Sequence, residues 1–210
     1  MQKTAEAVSL GHPDKIADYI SCYILDRMIE QDQDIKYAVE VLIKNNTVVL
    51  AGEISGNVKT NMVDEYVKNA LAEIGYDDRY YNIWGNLTIN PKNIDIINLI
   101  SVQSADIRTG VDAGGWGDQG VFVGYACQGD GLINQELFLA RKLNNALYQM
   151  AKKSENLGLD IKTQITLNDE KIETVIVAIP MLHDEDLTES IVASSALVLS
   201  LFIETNNALL

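Results

Sequence analysis

The chain has 210 residues, 47% of them hydrophobic, enough for one large domain or two small ones with real cores, which excludes a disordered chain. Its formal net charge of -14 repels the phosphates of nucleic acid and an anionic lipid surface alike, so neither is an expected partner. The start, Met-Gln-Lys-Thr-Ala-Glu, has no apolar signal core, and the longest apolar stretch, Ile191 to Ile203, is too short and too serine-broken to span a bilayer, which places the protein in a cytoplasm.

In chain order, Ile16, Ile20, Tyr23, Ile24 and Met28 form a helical stripe from Pro13 to about Gln31, with Asp18, Asp26 and Arg27 on the wet side. Proline at the first helical position makes His12 the expected N-cap. Cys22, inside this helix, and the distant Cys127 form no CxxC pair and read as two reduced, buried thiols. Tyr37 to Ile43 alternates as a strand, Asn45-Asn46 forms a tight turn, and Thr47 to Ile54 returns. A second helix runs from Asn61 to Ile74, with Gly75 as its stop. Asn82 to Asn90 reads as a weaker strand, and Ile94 to Val102 fits strand or helix, with strand favoured.

Five glycines between Thr109 and Gly120 mark a mobile or ligand-approaching loop, and a strand from Val121 to Cys127 follows. The remainder reads as a helix from about Gln135 to Lys153, a hairpin of Lys162 to Leu167 and Lys171 to Ile179 around Asn168-Asp169, and a last helix from Asp186 to about Glu204. Hairpins separated by helices predict an α+β fold, two similar subdomains with mixed or antiparallel sheets covered by helices on one face.

Several short segments carry chemistry. Gly11-His12-Pro13-Asp14-Lys15 sets an imidazole, a carboxylate and an ammonium within one turn of exposed backbone N–H groups, an end that attracts phosphate. Asp14 opposes an anion directly, so its use there is to hold a magnesium ion that holds phosphate oxygens; the bland alternative is a plain helix cap. Glu40 and Glu53 interrupt apolar strands and are either edge-exposed or recruited to a site. Gly117-Asp118-Gln119-Gly120 is either a turn or a close backbone approach to a small ligand. Asp160 and Lys162 share a strand face, as a surface ion pair or a phosphate contact.

In this order the segments Glu6-Ala7-Val8-Ser9-Leu10-Gly11-His12-Pro13-Asp14-Lys15-Ile16-Ala17-Asp18, Ala51-Gly52-Glu53-Ile54, Gly117-Asp118-Gln119-Gly120 with Gly124-Tyr125-Ala126, and Lys162-Thr163-Gln164 resemble the methionine adenosyltransferase family, from about Thr4 to His183-Asp184-Glu185. The resemblance implies that His12 contacts the triphosphate near the bond that breaks and that Asp14 binds Mg2+. It implies that Glu40 belongs to a K+ site, that Glu53 and Gln103 bind methionine, and that Asp118 faces methionine or the nucleoside. Lys162 then faces the phosphate chain, with Lys15 beside it, and Asp106, Glu6 and Asp160 are further pocket members.

The implied reaction joins ATP and methionine. The thioether attacks C5′ as an uncharged nucleophile, so no general base is required, and the barrier lies in alignment and in the charge of the departing triphosphate. The implied architecture is a first subdomain of residues 1–12 with 120–183 and a second of 13–102 with 184–210, joined by a gating-type loop at 103–119, with the family's third subdomain absent. A homodimer packed through its sheets is expected. The chain then acts as a fragment or as half of a split enzyme whose second polypeptide supplies the missing part; the alternative is a non-catalytic dimerising or regulatory subunit that keeps part of the methionine and ATP site.

Overall fold

The computed structural model describes residues 1–102, 120–169, 171–182, 192–198 and 200. It divides into two compact units, Met1–Lys15 with Tyr125–Leu210, and Ile16–Gly124. Each is α+β and is built on one three-stranded sheet.

In the first unit, β1 (Gln2–Val8) and β6 (Lys171–Ala178) flank β5 (Lys162–Asn168), all antiparallel; the helix between them in sequence is α4 (Gln135–Ala151). One face of α4 buries Leu139, Ala140, Leu143 and Leu147 against the inward side of the sheet, where Ile161, Ile165 and Leu167 are buried. Asn144 sits in that contact and satisfies two carbonyls, donating from Nδ2 to Ala7 and to Ile161, both at 3.2 Å. The β5–β6 hairpin turns at Asp169, whose φ of 46° shows the left-handed geometry that Asn-Asp turns supply. Residues 192–198 are helical, within the span read as the last helix.

The second unit contains α1 (Pro13–Ile29), whose first turn belongs to the first unit, β2 (Lys36–Lys44), β3 (Thr47–Ser55), α2 (Val63–Ile74), α3 (Asp78–Trp84) and β4 (Asp95–Val102). β2 and β3 pair antiparallel, whereas β4 runs parallel to β3, a geometry that needs the long crossover that α2 and α3 provide. Ile16, Ile20, Ile24 and Met28 of α1 and Val63, Val67, Ala70, Leu71 and Ile74 of α2 are fully buried. Ser21 fastens α1 to β2 through a hydrogen bond from its hydroxyl to the Val39 carbonyl at 3.0 Å. Asn46 in the hairpin turn also docks the approach to β4: its side chain donates to Asn93 and accepts from Asn90, both at 2.7 Å.

Three readings of the sequence are corrected. Residues 82–90 are not a strand; α3 ends at Trp84 and a 3-10 turn, Gly85–Leu87, follows. Asp77 caps α3, accepting from the Tyr80 N–H at 2.8 Å, and the i, i+4 spacing stacks Tyr80 on Trp84 at 5.5 Å. Residues 121–127 form no strand: among the described residues they join no sheet ladder, the Cys127 N–H going instead to the Leu132 carbonyl at 3.0 Å, and Val121, Phe122 and Val123 are almost fully exposed. The two thiols are free but not buried: Cys22 lies on the exposed side of α1 and Cys127 is half-buried. Among the described residues, no helix is long and apolar enough to cross a membrane.

Candidate functional site

The segment that ends β1 and starts α1 is stitched to the segment that starts β5. Ser9, buried, donates its backbone N–H to the Ile161 carbonyl at 2.9 Å and its hydroxyl to the Leu159 carbonyl at 2.6 Å, while its Oγ accepts the Ile161 N–H at 2.9 Å. Gly11 follows in the same contact. A β-carbon there would stand 2.3 Å from the Leu159 carbonyl oxygen, so only glycine lets the two backbones approach this closely. The His12 N–H closes the turn on the Ser9 carbonyl at 3.0 Å.

This stitching sets the start of α1 beside residues 159–162. His12 is the cap of the helix: its Nδ1 accepts the Asp14 N–H at 3.2 Å, which leaves Nε2 as the nitrogen available to an incoming group. The imidazole is only 12% exposed, whereas the Asp14 side chain is 87% exposed, with its Oδ2 3.9 Å from Nδ1. Leu159 and Ile161 point into the core, so Asp160 and Lys162 alternate to the outward face. Asp160 Oδ1 is buried and has no hydrogen-bond partner among the described residues, an acceptor that a ligand donor would satisfy. Glu6 lies opposite Gln164 and Val8 opposite Lys162, which puts the Glu6 and Lys162 side chains on one face as diagonal neighbours.

A cleft of about 510 Å³ runs along the open edge of β1, and Glu6 and Lys15 both line it. Arg141 of α4 lines it too, a second exposed cation that makes no ion pair among the described residues. Nothing in the sequence singles out Arg141, because a cation beside the Leu139–Leu143 stripe reads as a solvated helix side chain. Ser9 and Gly11 were likewise missed as individual residues, since what they do depends on a tertiary contact.

The second unit holds the remaining expected carboxylates. Glu40 lies opposite Ala51 and Glu53 opposite Ala38, so both project, as diagonal neighbours, from the face of the β2–β3–β4 sheet opposite the buried Val39, Val48 and Leu50, a face that no helix covers among the described residues. Gly52 between them has φ 143°, and a β-carbon on it would meet the Ala38 carbonyl oxygen at 2.0 Å. Gln103, Asp106 and Asp118 lie outside the described residues. Among the described residues no three His, Cys, Asp or Glu side chains gather as a preformed metal cage.

Residues 1–105 match the family model for the S-adenosylmethionine synthetase N-terminal domain, and residues 113–204 match that for the central domain. The chain belongs to the S-adenosylmethionine synthetase family. It is 38% identical over 182 residues to an S-adenosylmethionine synthase from Borreliella afzelii, covering 80% of this chain and 44% of the relative. With the Nitratiruptor synthase it shares 34% identity over 197 residues, covering 88% of this chain and 49% of that one. The solved structure of an unusual S-adenosylmethionine synthetase from Campylobacter jejuni superposes with a TM-score of 0.81 at 30% identity, covering 94% of this chain and 53% of the other. The chain thus spans about half the length of the S-adenosylmethionine synthases it matches.

Proposed function

We propose that this chain carries the N-terminal and central part of a methionine adenosyltransferase site, which forms S-adenosylmethionine from ATP and methionine. The observation that carries the reading is the Ser9–Gly11 stitch, which sets the capped start of α1 beside Lys162 and beside Asp160, whose Oδ1 has no donor among the described residues. In the reaction the thioether lone pair forms the S–C5′ bond while the C5′–O bond breaks and the triphosphate keeps the electron pair. No proton moves, so the work of the protein is alignment and charge stabilisation.

His12 donates from Nε2 to the departing triphosphate, and Lys162 and Lys15 neutralise its charge. Asp160 and Glu6 orient the substrates, and Glu53, Gln103, Asp106 and Asp118 are the residues for methionine and the nucleoside. Asp14, an exposed single carboxylate, would hold Mg2+, which would supply positive charge at the leaving group. Glu40 is the residue for K+. The active form is a homodimer, and full turnover draws on segments equivalent to the half of the relatives that this chain does not span, from whichever polypeptide supplies them.

The test is magnesium-dependent ATP binding by calorimetry, with S-adenosylmethionine formation measured in Mg2+ and K+ with and without that second segment. Adding the segment should raise turnover. His12→Ala and Asp14→Asn should weaken ATP binding or turnover by about a hundredfold, while costing only about 1 kcal/mol in stability, as a lost cap does. Unfolding with unchanged nucleotide binding would reduce the segment to a cap.

A further inference from the structure

At the other end of the β1–β5–β6 sheet from Ser9 lies a second cleft, of about 690 Å³, large enough for a small organic molecule. Lys3, Leu167, Tyr125, Cys127, Asn134 and Glu136 line it. Glu136 decides its character. The residue is only 6% exposed, yet its carboxylate makes no hydrogen bond or ion pair among the described residues. Its carboxylate opens into the cleft from the first turn of α4, in the favourable field of the helix dipole.

The opposite charge is present but does not reach it. Lys3 is paired with Leu167 in the sheet, and Leu167 is buried toward α4, so Lys3 leaves β1 on the side that faces the helix. Its ammonium makes no ion pair among the described residues. The N-terminal ammonium, which also borders the cleft, is already held by Asp169. Asn134 adds a donor: its Oδ1 accepts from the Tyr125 hydroxyl at 2.7 Å and from the Cys127 thiol at 3.7 Å, which orients the amide and leaves its Nδ2 without an acceptor among the described residues.

A carboxylate, an ammonium and an amide donor around one cleft, each without a partner among the described residues, match the two charged ends of an α-amino acid. We propose that this cleft binds a free α-amino acid, with its ammonium against Glu136 and its carboxylate against Lys3 and Asn134 Nδ2. The site is separate from the one around His12 and stands or falls independently of it.

The two cysteines provide the readout, since Cys127 lines the cleft and Cys22 is exposed on α1 in the other unit. Alkylation of the full chain by N-ethylmaleimide is followed at each cysteine by mass spectrometry. L-Methionine should slow alkylation at Cys127 severalfold and leave Cys22 unchanged. 4-(Methylthio)butanoate, which lacks the ammonium, and 3-(methylthio)propylamine, which lacks the carboxylate, should protect poorly.

Glu136→Gln and Lys3→Gln should each raise the methionine concentration needed for protection about tenfold or more, the usual worth of a charged hydrogen bond. Lys3 is exposed, so its variant keeps the test open if Glu136→Gln fails to fold. Glu53→Gln, on the other sheet, should leave Cys127 protection intact, which separates this cleft from methionine bound for the reaction. No protection, equal protection by all three compounds, or protection unchanged in both cleft variants would overturn the proposal.

Discussion

A single hydrogen atom at Gly11 holds the site together. A methyl group there would drive into the Leu159 carbonyl, which is backbone and has little room to yield. Gly11→Ala should therefore lower stability by about 1–3 kcal/mol, read from urea unfolding, and should loosen the Ser9–Ile161 contact in the same variant, read from faster amide exchange at Ile161. Tyr19 offers a different test, through pH. It donates to Glu73 Oε2 at 2.6 Å, and that bond, with burial second, pushes the phenol from 10 up to about 12. Because the folded value lies above the unfolded one, the contribution is complete below pH 10 and is lost as pH rises toward 12. In a tyrosinate absorbance titration, Glu73→Gln should move this late step to lower pH, whereas Tyr19→Phe should abolish it.

Elements follow the same logic with more residues. The cap on α3 is a single contact, so Asp77→Ala should cost about 1 kcal/mol, seen as a lower urea midpoint and faster amide exchange at Tyr80. That helix was illegible in the sequence because Tyr80, Tyr81, Ile83 and Trp84 favour strands, and their propensity outweighs one acid three residues earlier. By contrast α1, α2 and the β2–β3 hairpin were plain, since each shows several repeats of its period and a clear stop or turn. β1 went unread because it is an edge strand: Gln2, Thr4 and Glu6 face solvent, and the inner side carries Lys3 and two small alanines, at 5 and 7. The 121–127 stretch has the composition of a strand, but a strand exists only where another supplies hydrogen bonds. For the site, the helix-start residues His12 and Asp14 announce themselves locally, whereas Glu136 looks like any first-turn acid until its burial is known.

At the scale of the whole molecule, the face of the β2–β3–β4 sheet that no helix covers among the described residues is apolar where it meets solvent. Leu42 and Leu99 are 62% and 60% exposed, on the same face as Glu40 and Glu53. Such a patch favours association, and we expect a homodimer through this face. Sedimentation should give a dimer at micromolar concentration, and Leu99→Lys should shift it toward monomer. Added salt should strengthen the dimer, because each copy carries a net charge of -14 that the other copy repels.

The interleaving of the two units also orders events in time. The strands of the Ile16–Gly124 unit find their partners within its own span, but among the described residues β1 pairs with β5 alone, and the Thr4 and Thr166 hydroxyls that meet at 3.0 Å are separated by 162 positions. During synthesis at about 5–20 residues per second, the first strand made waits roughly ten to thirty seconds for the strand it joins. Its residues are mostly polar or small, which suits that wait, since a strand with little apolar surface is a poor template for the wrong neighbour. The nascent chain thus carries its N-terminus as a loose end past one finished unit, and the loop that holds His12 takes its final form only after Ile161 has left the ribosome.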